Sequence, residues 1–371
     1  MQRVDMLKRV TIAAIALAAA WGFLAAAGAE EAAADSVEAG QLELTSRTLL
    51  PIFFYTPETR FGAGLAAGYF FKGAPEHRPS NVSGIAIVTT ESQASLAISS
   101  EYYSPDEAGH FKVEAGVQKF PYSFWGVGNS TADSLEETYT PRGVEFSMLA
   151  EKRGLYRLTF GGLYRFWYEN VSEVQAGGML DSGEIPGSRG GHLSGLGISS
   201  TWDTRDNIYY TRKGLYARLE ATYYGPGLGS SYEYGILDAD LRCFTPLFNG
   251  YSLGLRSVLR STAGHTPFQM MPGIGGSTFL RGYPGRRYID RTAFTADVEI
   301  RTAYFWRFSF VAFGSTGHVA DRVSDLSGER MRFTGGAGLR FRLNDENFNL
   351  RMDFGIGEGA SGFYFIAGEA F

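Results

Sequence analysis

The feature that most constrains this chain is an alternation of apolar and polar side chains with a period of two, which runs from about residue 47 to the end. Between Phe348 and Ile356 every second side chain is apolar, whereas Asn349, Arg351 and Asp353 occupy positions between them. Successive side chains of a β-strand point to opposite faces, so this period indicates strands with one apolar and one polar face. The sequence therefore predicts an all-β fold.

Clusters of glycine, proline and polar residues divide the alternation into strands. The first strand contains Pro51, which favours an edge position because proline lacks the backbone donor that strand pairing requires. Sixteen membrane strands of roughly 9–11 residues each fit within the chain. The predicted strands are residues 47–56, 61–71, 81–89, 93–103, 110–118, 139–151, 155–172, 192–202, 215–224, 232–245, 251–262, 293–303, 307–319, 331–343, 347–356 and 362–371.

The N-terminus has the organisation of a secretory signal. Basic residues at Arg3, Lys8 and Arg9 precede an apolar, alanine-rich segment at residues 10–27, and an Ala-Gly-Ala cleavage site follows at residues 27–29. A short uncleaved anchor is the alternative, but the small residues and the cleavage site favour removal of the segment.

The expected division of the chain follows from this signal. We expect residues 1–29 to be the signal peptide, residues 30–46 a short periplasmic tail, and residues 47–371 the barrel. The single cysteine, Cys243, excludes an intrachain disulfide.

The alternation alone fits two architectures. A soluble sandwich would pack its apolar faces together, whereas a membrane barrel turns them toward lipid and its polar faces toward the lumen. The export signal favours the barrel, and so do the 28 Phe and 21 Tyr residues, which suit aromatic girdles. We therefore expect a 16-stranded antiparallel transmembrane β-barrel that crosses the outer membrane of a Gram-negative bacterium many times.

An even number of strands would place both termini in the periplasm. Long breaks would then be extracellular and short ones periplasmic, as is usual for such barrels. The expected extracellular breaks are residues 119–138, 173–191, 225–231, 263–292 and 320–330.

The longest of these breaks carries a motif, Leu280-Arg281-Gly282-Tyr283, within a segment rich in glycine, proline and arginine. A long irregular segment in an otherwise regular chain is usually functional or disordered. The motif resembles the signature loop of the BamA/TamA superfamily of outer-membrane barrels, also called the bacterial surface antigen family. The resemblance implies that this extracellular loop folds into the lumen, where its arginine pairs with acidic groups on the wall.

Two further segments support the resemblance. The family has a D-x-R-D-N segment before a turn, and here Asp203, Arg205, Asp206 and Asn207 match it, with Gly214 in the following turn. Charged side chains on both sides of Arg205 are expected to cap the strand end through local hydrogen bonds.

The chain also ends on an aromatic residue, as in proteins read by the barrel-assembly machinery. Phe363, Phe365 and Phe371 are expected to share one face of the last strand and to form this C-terminal signal.

The acidic partner of Arg281 is not where the resemblance would place it. The family often has Phe-x-Asp-x-Gly in a later strand, and Ser315 stands at the aspartate position. The parity of the neighbouring strands directs other carboxylates to the lumen, and a buried guanidinium without a counter-charge is costly. The candidate partners of Arg281 are Asp297, Glu299 and Asp353.

Nothing in the sequence favours catalysis or a cofactor. None of the five histidines has close metal-ligand spacing to another, and no G-x-S-x-G motif is present. His265 lies in the arginine-rich loop and serines are abundant, so a catalytic Ser–His pair is left as an alternative. Without residues 1–29 the chain has 31 basic and 38 acidic residues, a net charge of −7 that argues against a nucleic-acid partner.

The resemblance implies a barrel that assists protein or lipid passage or insertion at the outer membrane. Members that insert or secrete proteins carry POTRA domains before the barrel, whereas here only residues 30–46 are expected to precede it, as in a short member without them. The implied partners are outer-membrane lipid, the barrel-assembly machinery during biogenesis and a separate periplasmic protein. The alternatives are a passive pore or structural barrel and, less favoured, an outer-membrane lipid hydrolase.

Overall fold

The computed structural model describes residues 43–56, 60–72 and 77–371. The predicted signal peptide and most of the predicted tail lie outside these residues. β1 begins at Glu43, within the segment predicted as tail.

The described chain forms a meander of antiparallel strands. Their bounds are β1 (Glu43–Thr56), β2 (Arg60–Lys72), β3 (Ser80–Thr89), β4 (Ala94–Tyr103), β5 (Gly109–Lys119), β6 (Tyr122–Phe124), β7 (Glu137–Arg153), β8 (Leu158–Val174), β9 (Gly190–Asp203), β10 (Gly214–Tyr224), β11 (Tyr234–Pro246), β12 (Ser252–Gly264), β13 (Gly273–Ile274), β14 (Tyr288–Ile289), β15 (Thr292–Arg301), β16 (Phe308–Ala320), β17 (Arg332–Arg342), β18 (Asn349–Gly357) and β19 (Ala360–Ala367).

In the described residues, seventeen of these strands belong to one sheet, and β13 and β14 form a separate pair. Both β5 and β6 pair with β7, so β6 continues β5 along the same neighbour and the sheet has sixteen positions. Each predicted strand corresponds to one position, which confirms the 16-stranded antiparallel fold. The short strand β6 was not predicted.

Among the described residues, no helix is long and apolar enough to cross a membrane.

The apolar faces of the strands point outward. In β11, Leu237 and Leu241 are 44% and 55% exposed, whereas Asp240 between them accepts hydrogen bonds from Arg242 and from Arg256 of β12 at 2.7 and 2.9 Å. An apolar exterior around a charged interior is the arrangement of a membrane barrel, because lipid replaces water outside.

The two ends of the sheet are not joined by strand pairing. β1 pairs with β2 and β19 pairs with β18, and no register connects β1 to β19 in the described residues. We call this gap the seam. Next to it at one end, β2 meets the β17–β18 turn: Lys72 Nζ lies 2.6 Å from Glu346 Oε2, and the rings of Phe70 and Phe348 lie 5.5 Å apart.

The C-terminus departs from the predicted last strand, 362–371. β19 ends at Ala367, and Gly368 adopts a φ of 94°, which favours glycine. Beyond this turn the alternation is lost. Phe363 and Phe365 are 68% and 47% exposed on the outer face, whereas Phe371 is 6% exposed. The prediction that these three share a face is therefore wrong.

Phe371 instead lies inside the barrel. Its ring packs near that of Phe244, with centroids 5.9 Å apart. Its main-chain oxygen accepts a hydrogen bond from Arg301 Nη2 at 2.8 Å.

A new charge should destabilise the barrel much more on the lipid face than on the inner face. Leu241→Arg, on the lipid face near the middle of β11, should lower the free energy of unfolding by about 2–4 kcal/mol, the usual effect of arginine at the bilayer midplane. Ser147→Arg, on the inner face of β7 beside Glu114, should change it by far less. Urea unfolding in lipid vesicles measures both, and equal losses would contradict the assigned faces.

Candidate functional site: an arginine loop inside the lumen

The segment 265–291 between β12 and β15 turns back into the barrel. Its backbone reverses at Gly275, Gly276 and Gly282, whose φ values are 106°, 101° and 127°. Leu280 also has a positive φ, of 49°, and such a conformation costs a residue with a side chain roughly 1–3 kcal/mol. The surrounding contacts must therefore hold the loop in place.

Part of that support is apolar. Ile274 and Leu280 are completely buried, and Tyr283 and Tyr288 nearly so. They form one cluster with Val319 of β16. Fully burying a large apolar side chain contributes about 1.5–3 kcal/mol, so this cluster offsets the strain at Leu280.

The rest of the support is ionic and centres on Arg281. Its Nη1 donates to Asp353 Oδ2 of β18 and its Nη2 to Glu299 Oε1 of β15, both at 2.7 Å. All three side chains are completely buried. The guanidinium also lies 3.5 Å from the centre of the Phe313 ring of β16, a distance that permits a cation–π interaction.

Arg281 is one of four buried arginines around the same carboxylates. Arg301 donates to Glu299 Oε2 at 2.8 Å, Arg340 donates to Asp353 Oδ1 at 2.5 Å, and Arg351 donates to Asp353 Oδ2 at 3.1 Å.

A third carboxylate comes from the C-terminal turn, where Glu369 accepts a hydrogen bond from Arg340 Nε at 2.6 Å. We call this set the arginine cluster: Arg281, Arg301, Arg340, Arg351, Glu299, Asp353 and Glu369. Buried charges persist only when paired and hydrogen-bonded, so each member depends on the others.

Glycine lets the loop approach the wall at backbone distance. A Cβ on Gly355 of β18 would lie 2.3 Å from the Arg281 main-chain oxygen, and one on Gly282 would meet the backbone of residues 355–357 at about 3 Å. The Gly282 N–H donates to Tyr364 Oη of β19 at 2.9 Å. The loop therefore lies directly against β18.

Three more arginines fix the outer part of the loop. Arg286 Nη2 donates to the Phe268 and Met271 carbonyls at 2.9 and 3.1 Å, and burial lowers its pKa, although arginine stays charged at neutral pH. Arg287 donates to Asp133 Oδ1 of the neighbouring loop at 2.6 Å. Arg291 lies 3.4 Å from Asp321, where both side chains are about half exposed.

Of the three candidate partners, the structure places Glu299 and Asp353 against Arg281 and leaves Asp297 apart from it. Asp297 lies opposite Ser315 in the β15–β16 pair, and the guanidinium of Arg281 donates to Asp353 and Glu299 instead. The inward parity of Asp297 was right, but Arg281 reaches the carboxylate two residues further along β15.

The second motif forms a compact turn after β9. Asp203 accepts two side-chain hydrogen bonds from Arg205, at 3.0 and 2.9 Å. Asp206 and Asn207 accept from backbone N–H groups of the same turn at 2.8–3.2 Å. Gly214 has a φ of 117°, and a Cβ there would lie 2.4 Å from the Thr204 carbonyl oxygen. Local hydrogen bonds thus cap the strand ends.

A single residue links the two motifs. Arg301 donates to the Thr211 carbonyl in this turn at 3.0 Å and to the Glu299 carboxylate that also holds Arg281. Sequence reasoning missed Arg301, Arg340, Arg351 and Glu369 as members of the site. Two features of the sequence could have identified them. Arginines occupy inward positions of β15, β17 and β18, and a glutamate interrupts the apolar C-terminal segment.

A Ser–His contact occurs at a different place from the one considered in the sequence. Ser231 Oγ lies 2.9 Å from His192 Nδ1, and no carboxylate in the described residues is hydrogen-bonded to the other ring nitrogen, as a catalytic triad requires. His265 stacks on Tyr232, with ring centres 5.7 Å apart. In the described part of the chain no group of three or more metal-ligating side chains could hold a metal ion.

The outward apolar faces, charged interior and inward loop together define an integral β-barrel of the outer-membrane type. A family model described as the Omp85 superfamily domain matches residues 84–371. The chain belongs to the Omp85 superfamily, which confirms the resemblance carried by residues 280–283 and indicates the outer membrane of a Gram-negative bacterium.

Solved structures agree on the fold. BamA from Haemophilus ducreyi lacking POTRA domains 1-3 superposes with a TM-score of 0.54 at 12% identity, covering 88% of this chain and 70% of that one. CdiB from Acinetobacter baumannii gives 0.53 at 13% identity, covering 87% of this chain and 58% of that one. This chain thus spans less than two thirds of the CdiB chain. No curated protein matches the sequence.

The two arginines Arg281 and Arg291 should differ sharply in importance. Arg281→Met leaves buried carboxylates short of a partner and should lower the free energy of unfolding by about 3–5 kcal/mol. Arg291→Met removes an exposed pair and should cost at most about 1 kcal/mol. Urea unfolding in detergent micelles compares them, and a small loss for Arg281→Met would show that the loop is held without it.

Crowding at Gly355 should displace the loop without touching a charge. Gly355→Ala forces its Cβ into the Arg281 backbone and should raise the ion conductance of single barrels in planar bilayers. Gly335→Ala on the adjacent strand is the matched control, because a Cβ there meets only the Phe313 carbonyl oxygen at 3.8 Å. Wild-type conductance in Gly355→Ala would contradict the close contact.

Proposed function

We propose that this barrel assists the insertion or passage of protein or lipid at the outer membrane, and that the seam between β1 and β19 is the route. The observation that carries the proposal is that, in the residues the structure describes, no strand pairing joins these two edges. An unpaired edge presents free N–H and C=O groups that can pair with another chain. An opening in the wall also exposes the lumen sideways to lipid.

The lumen itself is a poor route along the barrel axis. Segment 265–291 lies inside it and is anchored by buried ion pairs to β15 and β18. A passive pore would need an open aqueous channel. Lateral passage therefore fits the molecule better than axial passage, and delivery to the periplasmic end falls in this proposal to a separate periplasmic protein.

Conductance separates the two routes. The wild-type barrel in a planar bilayer should show no large steady openings, whereas a variant lacking residues 275–291 should conduct. Large steady currents in the wild type would favour the passive pore.

Cross-linking the seam tests the lateral route. Lys72→Cys with Glu346→Cys, in a Cys243→Ser background, can be joined by a bis-maleimide across the seam. The control is Asp238→Cys with Arg260→Cys, which face each other on the paired strands β11 and β12.

In vesicles, the wild type should accelerate the folding of a urea-unfolded eight-stranded barrel or the transbilayer exchange of a fluorescent phospholipid.

Only the cross-linked seam variant should lose this acceleration. Folding and lipid exchange no faster than in protein-free vesicles would refute the assisting role. Full activity after cross-linking of the seam would instead place the route elsewhere.

A further inference from the structure

A cavity of about 1220 Å³ lies beside the seam, inside the sheet. The inward faces of β1, β2 and β3 form one of its walls. The side chains of this wall are Thr48, Leu50, Ile52, Ala66, Gly68, Phe70, Asn81, Ser83, Ile85 and Ile87. None of these is charged, although the lumen of a membrane barrel is ordinarily polar.

The same strands are also apolar outside. Leu49, Leu65 and Val88 are 69%, 47% and 61% exposed on the lipid face. These strands therefore carry apolar side chains on both faces. Because leaving apolar surface in contact with water is unfavourable, the inner face favours an apolar occupant over water.

The cavity also reaches the outer surface. Its lining includes Phe363 and Phe365 of β19, which are exposed on the outward side of the sheet. The inner face of one end of a sheet and the outer face of the other end can border one cavity only where the sheet is open. The cavity therefore runs through the seam and meets the hydrocarbon of the bilayer.

The opposite wall is different. Glu114, Glu145, Ser147 and Arg165 line it, and Ser147 Oγ donates to Glu114 Oε2 at 3.2 Å. An apolar occupant would therefore make apolar contacts against β1–β3, whereas the same occupant against β5–β8 would lie beside charged side chains.

We propose that this cavity binds an acyl chain of a membrane phospholipid, which enters sideways through the seam and lies against the inner face of β1–β3. The cavity is large enough, since sites of roughly 300–1,000 Å³ hold drug-sized ligands. The route needs no new opening, because the seam already connects the cavity to the acyl chains outside. This inference rests on the proposed role of the seam and names lipid as the substance admitted there.

Photolabelling without any client protein tests the binding. The mature barrel is placed in vesicles of phosphatidylethanolamine and phosphatidylglycerol that contain a phospholipid with a diazirine at the end of one acyl chain. After illumination, mass spectrometry of peptides locates the adducts. Labels on Leu50, Ile85 and Ile87 are expected in addition to labels on the lipid-facing Leu65 and Val88.

Two variants of alanines provide the comparison. Ala66→Phe fills the cavity from its inner wall and should reduce the inward labels several-fold while the outward labels stay unchanged. Ala86→Phe adds the same ring on the exposed outer face of the paired strand β3, outside the cavity lining, and should leave the inward labels intact. Heat-modifiable gel mobility shows that both variants are folded.

Labels confined to outward positions, or inward labels unaffected by Ala66→Phe, would overturn the proposal. Occupation of the cavity by water would give the first of these results. Because no client is present, the labelling can succeed even if the barrel fails to assist insertion, and the two proposals fail separately.

Discussion

The structure depends on the guanidinium of Arg281, which is completely shielded from solvent. It touches carboxylates from two strands, Glu299 and Asp353. Removing ions from water is expensive, and their attraction offsets that penalty only when the geometry is good and the remaining hydrogen bonds are made. Such a pair is weak evidence for stability in itself. Its value here is positional, because a loop displaced by one residue would leave charges buried and unpaired.

The consequences of that constraint extend to distant parts of the chain. Glu299 shares its carboxylate between Arg281 and Arg301, and Arg301 reaches both Thr211 and Phe371. Arg340 brings Glu369 into the same set. The signature loop, the turn after β9 and the C-terminus are therefore positioned by one connected network of charges.

The strands were predictable because their signal is local. A period of two needs only neighbouring residues, and all sixteen positions of the sheet follow from it. The same rule fails at Gly368, where a positive φ ends the alternation and sends Phe371 inward. It also cannot choose between Asp297 and Glu299, which share parity, because that choice depends on how deep the loop descends.

Alternation of apolar and polar residues likewise cannot assign the inner and outer faces of β1–β3, because both faces of these strands are apolar. The segment from Gly62 to Phe71 is almost continuously apolar, so the expectation of a polar lumen did not reveal the wall formed by Leu50 and Ile85. Only the pairing of strands shows that this wall lies next to the seam.

The lock is bonded to β18 and β19 on one side of the seam, whereas the apolar wall lies on the other side, and this arrangement explains how a plugged barrel can still have a moving part. Arg281 is held by side chains of β15, β16 and β18, whereas the apolar wall belongs to β1–β3. Movement of β1 and β2 together away from β18 and β19 would break the contact between Lys72 of β2 and Glu346 of the β17–β18 turn but no bond of Arg281. The loop can thus keep the axial path closed while the wall opens toward lipid.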